Sequence, residues 1–539
     1  MNNEETENNI QDDIINSYKE IVTNKKDLPS YADFVEYGIS RDVIRRNFGG
    51  MEYLHEYVRD NYSDFLNENF SSVIDIFSSK RNAINSNKKR FIVTTAVADS
   101  EAHHGFLKAM ENYCNRNNAQ IVIMPCESVT NSFEKKTAIF DKAFNNEKYL
   151  FVQEDTPLNE NISLCSIQVS AKQIKPITGL TRIGKREGSY VFASPKQFLE
   201  YIPSGNSRGK NYSIMTPGAC TLPKYFTNQF VSKRLSYIAE HDHTIGAIII
   251  ELENDQLFHF RQIQADESGD FVDLGTLYKS DGKMEQVSSN IVFGDLHGVQ
   301  TNPEILSSFI ECFKGLNKID NIFLHDVYDG HSISHHIKDI AEKNIRHMRN
   351  AGDLDRELYD TYKIIKSIEN HLNPDAMNIV KSNHDEFLDR YLSEGRYVFD
   401  EHNHYLALKI APALFENKDV LKTAFELVVD NIEMSKWNFL DRESSFKIKN
   451  VECASHGDLG LNGAKSSLNS QEKVYGDCVV GHSHSAAIQR GVFRVGTLSY
   501  LDLGFNRGPS SWTHTCCLIY NNGQRQLINV VNGKCTTKL

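Results

Sequence analysis

The stretch 290–298, NIVFGDLHG, places Asp295 and His297 directly after a short apolar run. Four later stretches repeat this arrangement, in which apolar residues lead into carboxylate, amide or imidazole side chains. They are NIFLHDVYD (321–329), MNIVKSNHDE (377–386), VECASHGD (451–458) and CVVGHSH (478–484). Buried strands that end in such residues bring them together at the carboxyl edge of a sheet. The sequence therefore predicts an α/β domain with a polar site at that edge.

The polar residues of the five stretches are of the types that bind divalent metal ions. Carboxylate and imidazole ligands suit Mn, Fe or Zn. A pair of ions about 3.5–4 Å apart needs one carboxylate to bridge them. Five such stretches in one part of the chain indicate a binuclear centre, because chance would scatter these residues over helices and charged loops as well.

The order of these motifs resembles the calcineurin-like metallophosphoesterase superfamily. That pattern is D-x-H, then G-D-x-x-D, G-N-H-[DE], a lone H and G-H-x-H, and the resemblance covers about 250 residues here. It implies a C-terminal α/β/β/α sandwich that hydrolyses phosphoesters with two divalent ions. Mn²⁺ is the first expectation, and Fe, Zn or Mg are the alternatives.

The resemblance also implies how the first ion is held. Asp295, His297 and His484 would bind it, and Asp326 would bridge it to the second ion. A mutant that lacks the bridging carboxylate should therefore lose at least one of the two ions.

The remaining motif residues are assigned in the same way. Asn383, His456 and His482 would bind the second ion. His384 would be the general acid, and Asp329 would orient its imidazole through a carboxylate–histidine hydrogen bond. The alternative for the whole set is a metal-free relic with surface histidines.

The sequence departs from the superfamily pattern at three positions. His325 and Ser382 replace glycines that are not ligands, so metal binding should survive. Gly330 stands where protein phosphatases of the superfamily carry a phosphate-clamping arginine, which argues against a phosphomonoesterase acting on proteins. Arg507 and His331 are candidate substrate contacts, although Arg507 also fits a turn residue and His331 a helix surface.

Near the N-terminus, YGISRDVIRRNFGG (37–50) resembles the helix-turn-helix repeats appended to homing endonucleases. Helical spacing of apolar residues, interrupted at Gly38 and Gly49, predicts three short helices between residues 29 and 61. The resemblance implies that Arg41, Arg45 and Arg46 contact DNA. The alternative is the solvated face of a small packing module.

Between these regions the sequence predicts a second α/β unit without a functional assignment. Strands are expected at 91–97 and 119–125 around a helix at 106–115, with further strands near 149–153, 167–170 and 245–251. The predicted domains are a helical module at 1–88, an α/β domain at 89–285 and the metallophosphoesterase domain at 286–539.

Composition narrows the class of protein. The chain has 539 residues, a formal net charge of −12 and ten cysteines without a C-x-x-C pair, which favours reduced thiols in a cytosol. No secretory signal and no run of about 18 apolar residues is found, so a membrane protein is not expected. We expect a cytoplasmic protein, located in the host cytoplasm if the protein comes from a phage.

The whole layout resembles the pre-early proteins of large tailed phages that take part in degrading host DNA. This resemblance implies hydrolysis of DNA phosphodiester bonds, with DNA as the partner and a homo-oligomer as the expected assembly. One alternative is a phosphatase or nucleotide phosphohydrolase acting on small molecules or phosphoproteins. Another is a DNA-binding regulator with a vestigial phosphoesterase domain.

Overall fold

The computed structural model of the chain describes most of its residues. The described ranges are 2–25, 29–62, 64–66, 71–72, 88–126, 139–152, 154–171, 173–183, 188–203, 211–225, 233–334, 345–346, 348, 351–503, 506 and 508–537. Within these ranges no helix is both long enough and apolar enough to cross a membrane. The candidate substrate contact Arg507 lies outside the described residues.

The described part of the N-terminal module is mainly helical, and the three predicted short helices are confirmed. The helices are α1 (Asn2–Lys25), α2 (Tyr31–Glu36), α3 (Arg41–Phe48) and α4 (Met51–Asn61). Gly49 ends α3 with φ at 79°, a left-handed conformation that glycine adopts without strain. Tyr18, Phe34, Ile44 and Leu54 are buried together, so the module has its own small core.

The described part of residues 71–264 consists mainly of strands, with α-helices between them. In chain order the elements are β1 (Ser71–Ser72), β2 (Arg90–Val97), α5 (His104–Asn117), β3 (Gln120–Cys126), β4 (Ile139–Phe140), β5 (Tyr149–Phe151), β6 (Thr156–Asn159), β7 (Ile162–Gln168), β8 (Ser189–Ala193), β9 (Gln197–Pro203), β10 (Asn211–Pro217), α6 (Lys233–His241), β11 (Gly246–Leu252) and β12 (Phe258–Gln264). The predicted strand–helix–strand unit is confirmed, and β2 pairs in parallel with β3. The strand expected near 167–170 instead ends at Gln168.

The rest of the chain alternates strands with helices and then continues mainly as strands. In chain order the elements are β13 (Phe271–Asp273), β14 (Thr276–Tyr278), β15 (Met284–Gln286), β16 (Ser289–Val292), α7 (Pro303–Lys314), β17 (Ile319–His325), α8 (Leu354–Leu372), β18 (Ala376–Val380), α9 (Glu386–Ser393), α10 (His404–Ile410), α11 (Pro412–Phe415), α12 (Val420–Val428), β19 (Trp437–Leu440), β20 (Lys447–Ile448), β21 (Val451–Glu452), α13 (Leu468–Tyr475), β22 (Cys478–Val480), β23 (Ala487–Gln489), β24 (Val492–Arg494), β25 (Thr515–Tyr520) and β26 (Arg525–Asn529). All five strands expected to precede the polar motifs are present.

Three large sheets organise these strands. A five-stranded sheet has the order β12-β11-β2-β3-β5, and a six-stranded sheet has the order β19-β18-β17-β16-β25-β26. A ten-stranded sheet has the order β20-β21-β22-β24-β23-β9-β10-β8-β7-β6. Its strands come from both sides of residue 285, so the limit predicted there between two domains does not coincide with a break in the sheet.

The strand arrangement of residues 90–264 recurs in residues 289–529. In the first region, the antiparallel pair β12-β11 lies beside a parallel run that begins with β2-β3. In the second region, the antiparallel pair β26-β25 lies in the same way beside a parallel run that begins with β16-β17. The halves of the ten-stranded sheet, β6-β7-β8-β10-β9 and β20-β21-β22-β24-β23, also agree in order and in every strand direction. We call residues 90–264 the first copy and residues 289–529 the second copy.

The two copies meet through equivalent strands. Strand β9 pairs antiparallel with β23, so Leu199 lies opposite Ile488, and β12 contacts β26. A contact between equivalent surfaces is the arrangement of a two-fold dimer, here within one chain. The pairing also covers one edge strand of each copy, which removes an exposed edge that would otherwise favour aggregation.

Alternating side chains of the six-stranded sheet enter two different cores. Val292 and Phe323 face the ten-stranded sheet, where they share a core with Val479. Ile291 and Leu324 face the other way, into a core built with helices α7, α8 and α12. The six-stranded sheet therefore lies between a second sheet and a helical layer, with the carboxyl ends of its parallel strands β16, β17 and β18 at one edge.

Candidate metal centre

The nine polar motif residues come together at this edge of the second copy. They lie on five loops, each directly after one of the strands β16, β17, β18, β21 and β22. The first three strands belong to the six-stranded sheet and the last two to the ten-stranded sheet. The site is thus built where the ends of two facing sheets meet.

Four of the predicted ligands have a backbone conformation that is uncommon for residues other than glycine. Their φ angles are positive, at 58° for His297, 44° for Asp326, 70° for His482 and 56° for His484. Such conformations persist where the surrounding structure imposes them, and they concentrate at functional sites. The fold holds these loops in strained turns that present the side chains to one another.

The residues expected to hold the first ion form one buried group. Nε2 of His484 lies 3.2 Å from Oδ2 of Asp295 and 2.9 Å from Nε2 of His297. One ligand atom from each of these residues and from Asp326 lies within 4.8 Å of the others. Two carboxylates and two imidazoles at this spacing could hold one divalent ion.

The residues expected to hold the second ion form an adjacent group. Oδ1 of Asn383 lies 3.0 Å from Nε2 of His456 and 3.1 Å from Nδ1 of His482. Asp326 lies between the groups, with Oδ2 at 3.5 Å from Nε2 of His297 and 3.4 Å from Nε2 of His456. It is the residue to which the motif pattern assigns the bridging role.

Several buried polar atoms at the site fit metal coordination. Oδ1 of Asp295 and Oδ1 of Asp326 have no hydrogen-bond partner among the described residues, although both residues are fully buried. An unpaired buried carboxylate oxygen is strongly unfavourable unless a cation compensates it. These oxygens and the neighbouring imidazoles are donors of the kind that could hold a divalent metal ion.

Gly481 allows the close approach on which this geometry depends. A Cβ atom at this position would collide with Oδ1 of Asp295. The next residue, His482, donates its backbone N–H to Oδ2 of the same carboxylate at 2.8 Å. The glycine of the GHSH stretch therefore lets the loop after β22 contact Asp295 directly.

Asp329 contacts two imidazoles at the rim of the site. Its Oδ1 lies 3.1 Å from Nδ1 of His297 and 3.5 Å from Nδ1 of His384. Nδ1 of His384 also lies 3.1 Å from the backbone oxygen of Asp329, to which it donates. Both contacts of His384 use its Nδ1.

Charges within the site shift the pKa values of its members. Burial raises the pKa of Asp326, but the imidazoles of His456 and His297 outweigh it and hold the pKa well below its usual range. Burial lowers the pKa of His384, yet Asp329 and Asp326 raise it overall to about 9. The buried carboxylates therefore favour positive charge beside them, as a cation site requires.

The other candidate contacts lie apart from this centre. Arg41, Arg45 and Arg46 are exposed on α3 of the N-terminal module. His331 follows Asp329 closely in sequence, but its described hydrogen bonds are made by its backbone, one of them from its N–H to Glu357 at 2.8 Å. Asp329 therefore belongs to the site, whereas His331 is not brought into either ligand group.

Two residues that sequence reasoning missed support the site. Asp385 accepts hydrogen bonds from the backbone N–H groups of Tyr328 and Ser382, both at 3.0 Å, and so ties together the loops after β17 and β18. The sequence signal that could have identified Asp385 as a site residue was its position directly after His384 in the motif. The ring of Trp512 packs edge-on against His484 with centroids 4.2 Å apart, and no local sequence pattern predicts this contact.

His325, which replaces a motif glycine, is fully buried behind the site. Its ring centroid lies 5.5 Å from that of His456. Burial, followed by the charge of His456, lowers its pKa to about 4. His325 is thus a neutral packing residue behind a predicted ligand at ordinary pH.

The first copy does not reproduce the ligand set. Thr95 forms a parallel bridge with Ala219, just as Asp295 does with Thr497, so Thr95 stands at the position equivalent to Asp295. Among the described residues, both clusters of His and Asp that could hold a metal ion lie in the second copy. The equivalent fold thus carries a threonine where the second copy carries a buried carboxylate.

Fold and site together define a mixed α/β protein with a buried His and Asp cluster that could hold a metal ion. The chain is similar to Protein A1 of Escherichia phage T5, with 29% identity over 474 residues. The similarity covers 83% of this chain and 82% of the phage protein, and it supports a phage origin. No family model and no solved structure matches the chain.

Proposed function

We propose that the chain is a two-metal phosphodiesterase of the calcineurin-like superfamily and that it cleaves DNA. The observation that carries this proposal is the position of Asp326, within 3.5 Å of ring nitrogens from both ligand groups. A carboxylate shared by two adjacent ligand sets is what a bridged pair of ions requires. The helical layer and the two facing sheets support the α/β/β/α sandwich of that superfamily.

The chemistry divides between the ions and the chain. Two bound divalent ions, with Mn²⁺ as the first expectation, would activate a water molecule and neutralise charge on the phosphate. His384 holds a proton for the leaving oxygen, because Asp329 fixes its Nδ1 and leaves Nε2 as the donor. Such general acid catalysis contributes roughly 10²–10⁴-fold in rate.

The surroundings of Gly330 favour a phosphodiester over a phosphomonoester. Gly330 has φ at 71°, and a Cβ atom there would lie 2.9 Å from the ring of Phe387. A side chain at this position would be strained and would have to displace the ring of Phe387, and the glycine itself offers no cation that could clamp phosphate. A phosphodiester carries one negative charge fewer than a phosphomonoester dianion and depends less on such a cation.

Two further observations support DNA as the substrate. Arg41, Arg45 and Arg46 form an exposed basic group on α3, and arginines of such helices contact phosphates and base edges. The similarity to a phage protein supports a phage origin, and we propose that the substrate is host DNA in the host cytoplasm. The expected homo-oligomer stays a prediction.

The test is incubation of the purified chain with supercoiled plasmid and Mn²⁺. Nicking or degradation is expected, and it should disappear with EDTA and in Asp295→Ala. Asp375→Asn, a change to an exposed carboxylate outside the site, is the matched control and should keep activity. Intact plasmid together with hydrolysis of p-nitrophenyl phosphate would instead indicate a phosphatase. Stoichiometric, sequence-specific binding without cleavage would indicate a regulator.

A further inference from the structure

A cavity of about 680 Å³ lies where the two copies meet. The first copy contributes residues of β8, β9, β10 and β12, and the second copy contributes residues of α7, β26 and the segment before β25. Its volume is within the range of about 300–1,000 Å³ that is usual for small-molecule sites. The cavity belongs to neither copy alone.

Aromatic rings form the wall that the first copy supplies. Tyr201 and Phe260 have ring centroids 6.4 Å apart, and Phe260 and Phe258 are stacked at 6.2 Å. The second copy adds Trp512 to the lining. Flat rings in the lining of a cavity suit a flat aromatic ligand, because stacking gains both apolar contact and favourable quadrupole geometry.

Two amide side chains in the lining carry hydrogen-bonding atoms whose identity the neighbours fix. Asn211 donates from Nδ2 to the backbone oxygen of Trp512 at 2.7 Å, and its Oδ1 has no partner among the described residues. Asn529 accepts at Oδ1 from the hydroxyl groups of Tyr201 and Thr515, and its Nδ2 has no described partner. The two amides therefore offer one unpaired acceptor and one unpaired donor, and the hydroxyl of Ser213 in the lining also has no described partner.

The charge of the lining selects a neutral ligand. The lining contains no lysine or arginine among the described residues, and Glu304 is its carboxylate. Within the described lining, a phosphate group would meet this negative charge without a compensating cation. A flat ring with both donors and acceptors on its edge, and without charge, matches a nucleobase.

One wall of the cavity is also a wall of the metal centre. Trp512 lines the cavity, and its ring packs against His484 with centroids 4.2 Å apart. The backbone N–H of Thr513, which also lines the cavity, donates to the backbone oxygen of His484 at 2.9 Å. A base in the cavity therefore lies one aromatic side chain away from a predicted metal ligand.

We propose that this cavity binds an unpaired nucleobase of the DNA substrate, so that the first copy supplies substrate recognition to the metal centre of the second. The inference rests on the proposed function for the identity of the substrate. Bases within a duplex are stacked and paired, so occupancy requires single-stranded DNA or a base that leaves the duplex. The unpaired amide atoms are buried in the wall, so a small side-chain rotation accompanies binding.

Intrinsic fluorescence provides a direct test, because the chain has two tryptophans. In Trp437→Phe, Trp512 is the remaining fluorophore, and titration with deoxynucleosides in EDTA should quench it saturably. Equilibrium dialysis of the unsubstituted chain with the same nucleosides gives a second readout if that variant does not fold. Asn529→Asp keeps the acceptor at Oδ1 and removes the donor, and it should weaken binding roughly tenfold, the effect of about 1.4 kcal/mol.

The control is Tyr405→Ala, which removes an exposed aromatic ring outside the cavity lining and should leave nucleoside affinity unchanged. Absence of saturable binding by both readouts, or equal binding of N-acetyltryptophanamide, would overturn the inference. Because the titration needs neither metal nor cleavage, it is independent of the plasmid test. Nucleoside binding with intact plasmid would leave the cavity as a nucleobase site, while the nuclease proposal and with it the assignment of the base to a DNA substrate would be overturned.

Discussion

Nε2 of His297 lies 2.9 Å from Nε2 of His484, although the two histidines follow strands of different sheets. Two imidazole nitrogens at this distance must either share a proton or bind the same cation. Asp295 lies beside the pair, with Oδ2 at 3.2 Å from Nε2 of His484. A cation here would join the loop after β16 to the loop after β22 and hold the facing sheets together at this edge.

Metal removal should therefore destabilise the protein. Binding at a concentration of 100 times Kd stabilises a folded state by about 2.7 kcal/mol per site. We expect Mn²⁺ to raise the Tm and EDTA to lower it, as measured by differential scanning calorimetry. Asp326→Asn, which keeps the size of the side chain and removes its charge, should abolish most of this shift. Asp375→Asn should retain it, and an unchanged shift in Asp326→Asn would contradict the bridging assignment.

Replacement of His384 should separate catalysis from metal binding. His384→Ala removes the proposed proton donor but none of the predicted ligands, so kcat should fall by roughly 10²–10⁴-fold. Metal content, measured by inductively coupled plasma mass spectrometry, should stay the same. His371→Ala, which alters an exposed histidine at the end of α8, is the control. Full activity of His384→Ala would show that another group protonates the leaving oxygen.

Gly481→Ala should damage the centre through a single added methyl group. The new Cβ atom would collide with Oδ1 of Asp295, and overpacking of this kind costs about 1–3 kcal/mol. We expect weaker Mn²⁺ binding by isothermal titration calorimetry and reduced activity. Gly315→Ala introduces the same group where the nearest atom, the backbone oxygen of Cys312, lies 3.6 Å away, and it should be neutral. Equal Mn²⁺ affinities in the two variants would contradict the close approach.

His243 in the first copy should make stability depend on pH. The hydroxyl of Tyr225 donates to its Nδ1, its Nε2 donates to the backbone oxygen of Thr221, and burial lowers its pKa to about 4. The unfolded chain, with a histidine pKa of about 6.5, therefore takes up the proton first. This contribution to stability is complete above about pH 6.5 and is lost as the pH falls towards 4, by up to about 3 kcal/mol.

Urea denaturation between pH 4 and pH 8 measures this effect. In His243→Gln the free energy of unfolding should fall less steeply with acid than in the unsubstituted chain. His241→Gln changes a neighbouring exposed histidine and should leave the slope as it was. Parallel curves for the unsubstituted chain and His243→Gln would show that His243 is not the group responsible.

The sequence alone predicted which residues form the site and which strands precede them. Apolar runs before Asp295, Asp326 and His482 predicted strand ends, and the observed loops follow β16, β17 and β22. The strand ends could be predicted because a buried strand and the polar residue after it are neighbours in sequence. The N-terminal helices were predicted for a similar reason, since helical spacing and a glycine at the helix end are local signals.

Tertiary structure alone decided how the halves of the chain combine. Leu199 pairs with Ile488, and no local pattern specifies a partner so distant in sequence, because alternation fixes which side of a strand is buried but not its neighbour. For the same reason, the sequence did not predict that residues 90–264 and residues 289–529 share one strand arrangement. The contact of Trp512 with His484 and the cavity beside it depend likewise on packing between distant segments. Sequence thus determined which groups can do chemistry, and packing determined what surrounds them.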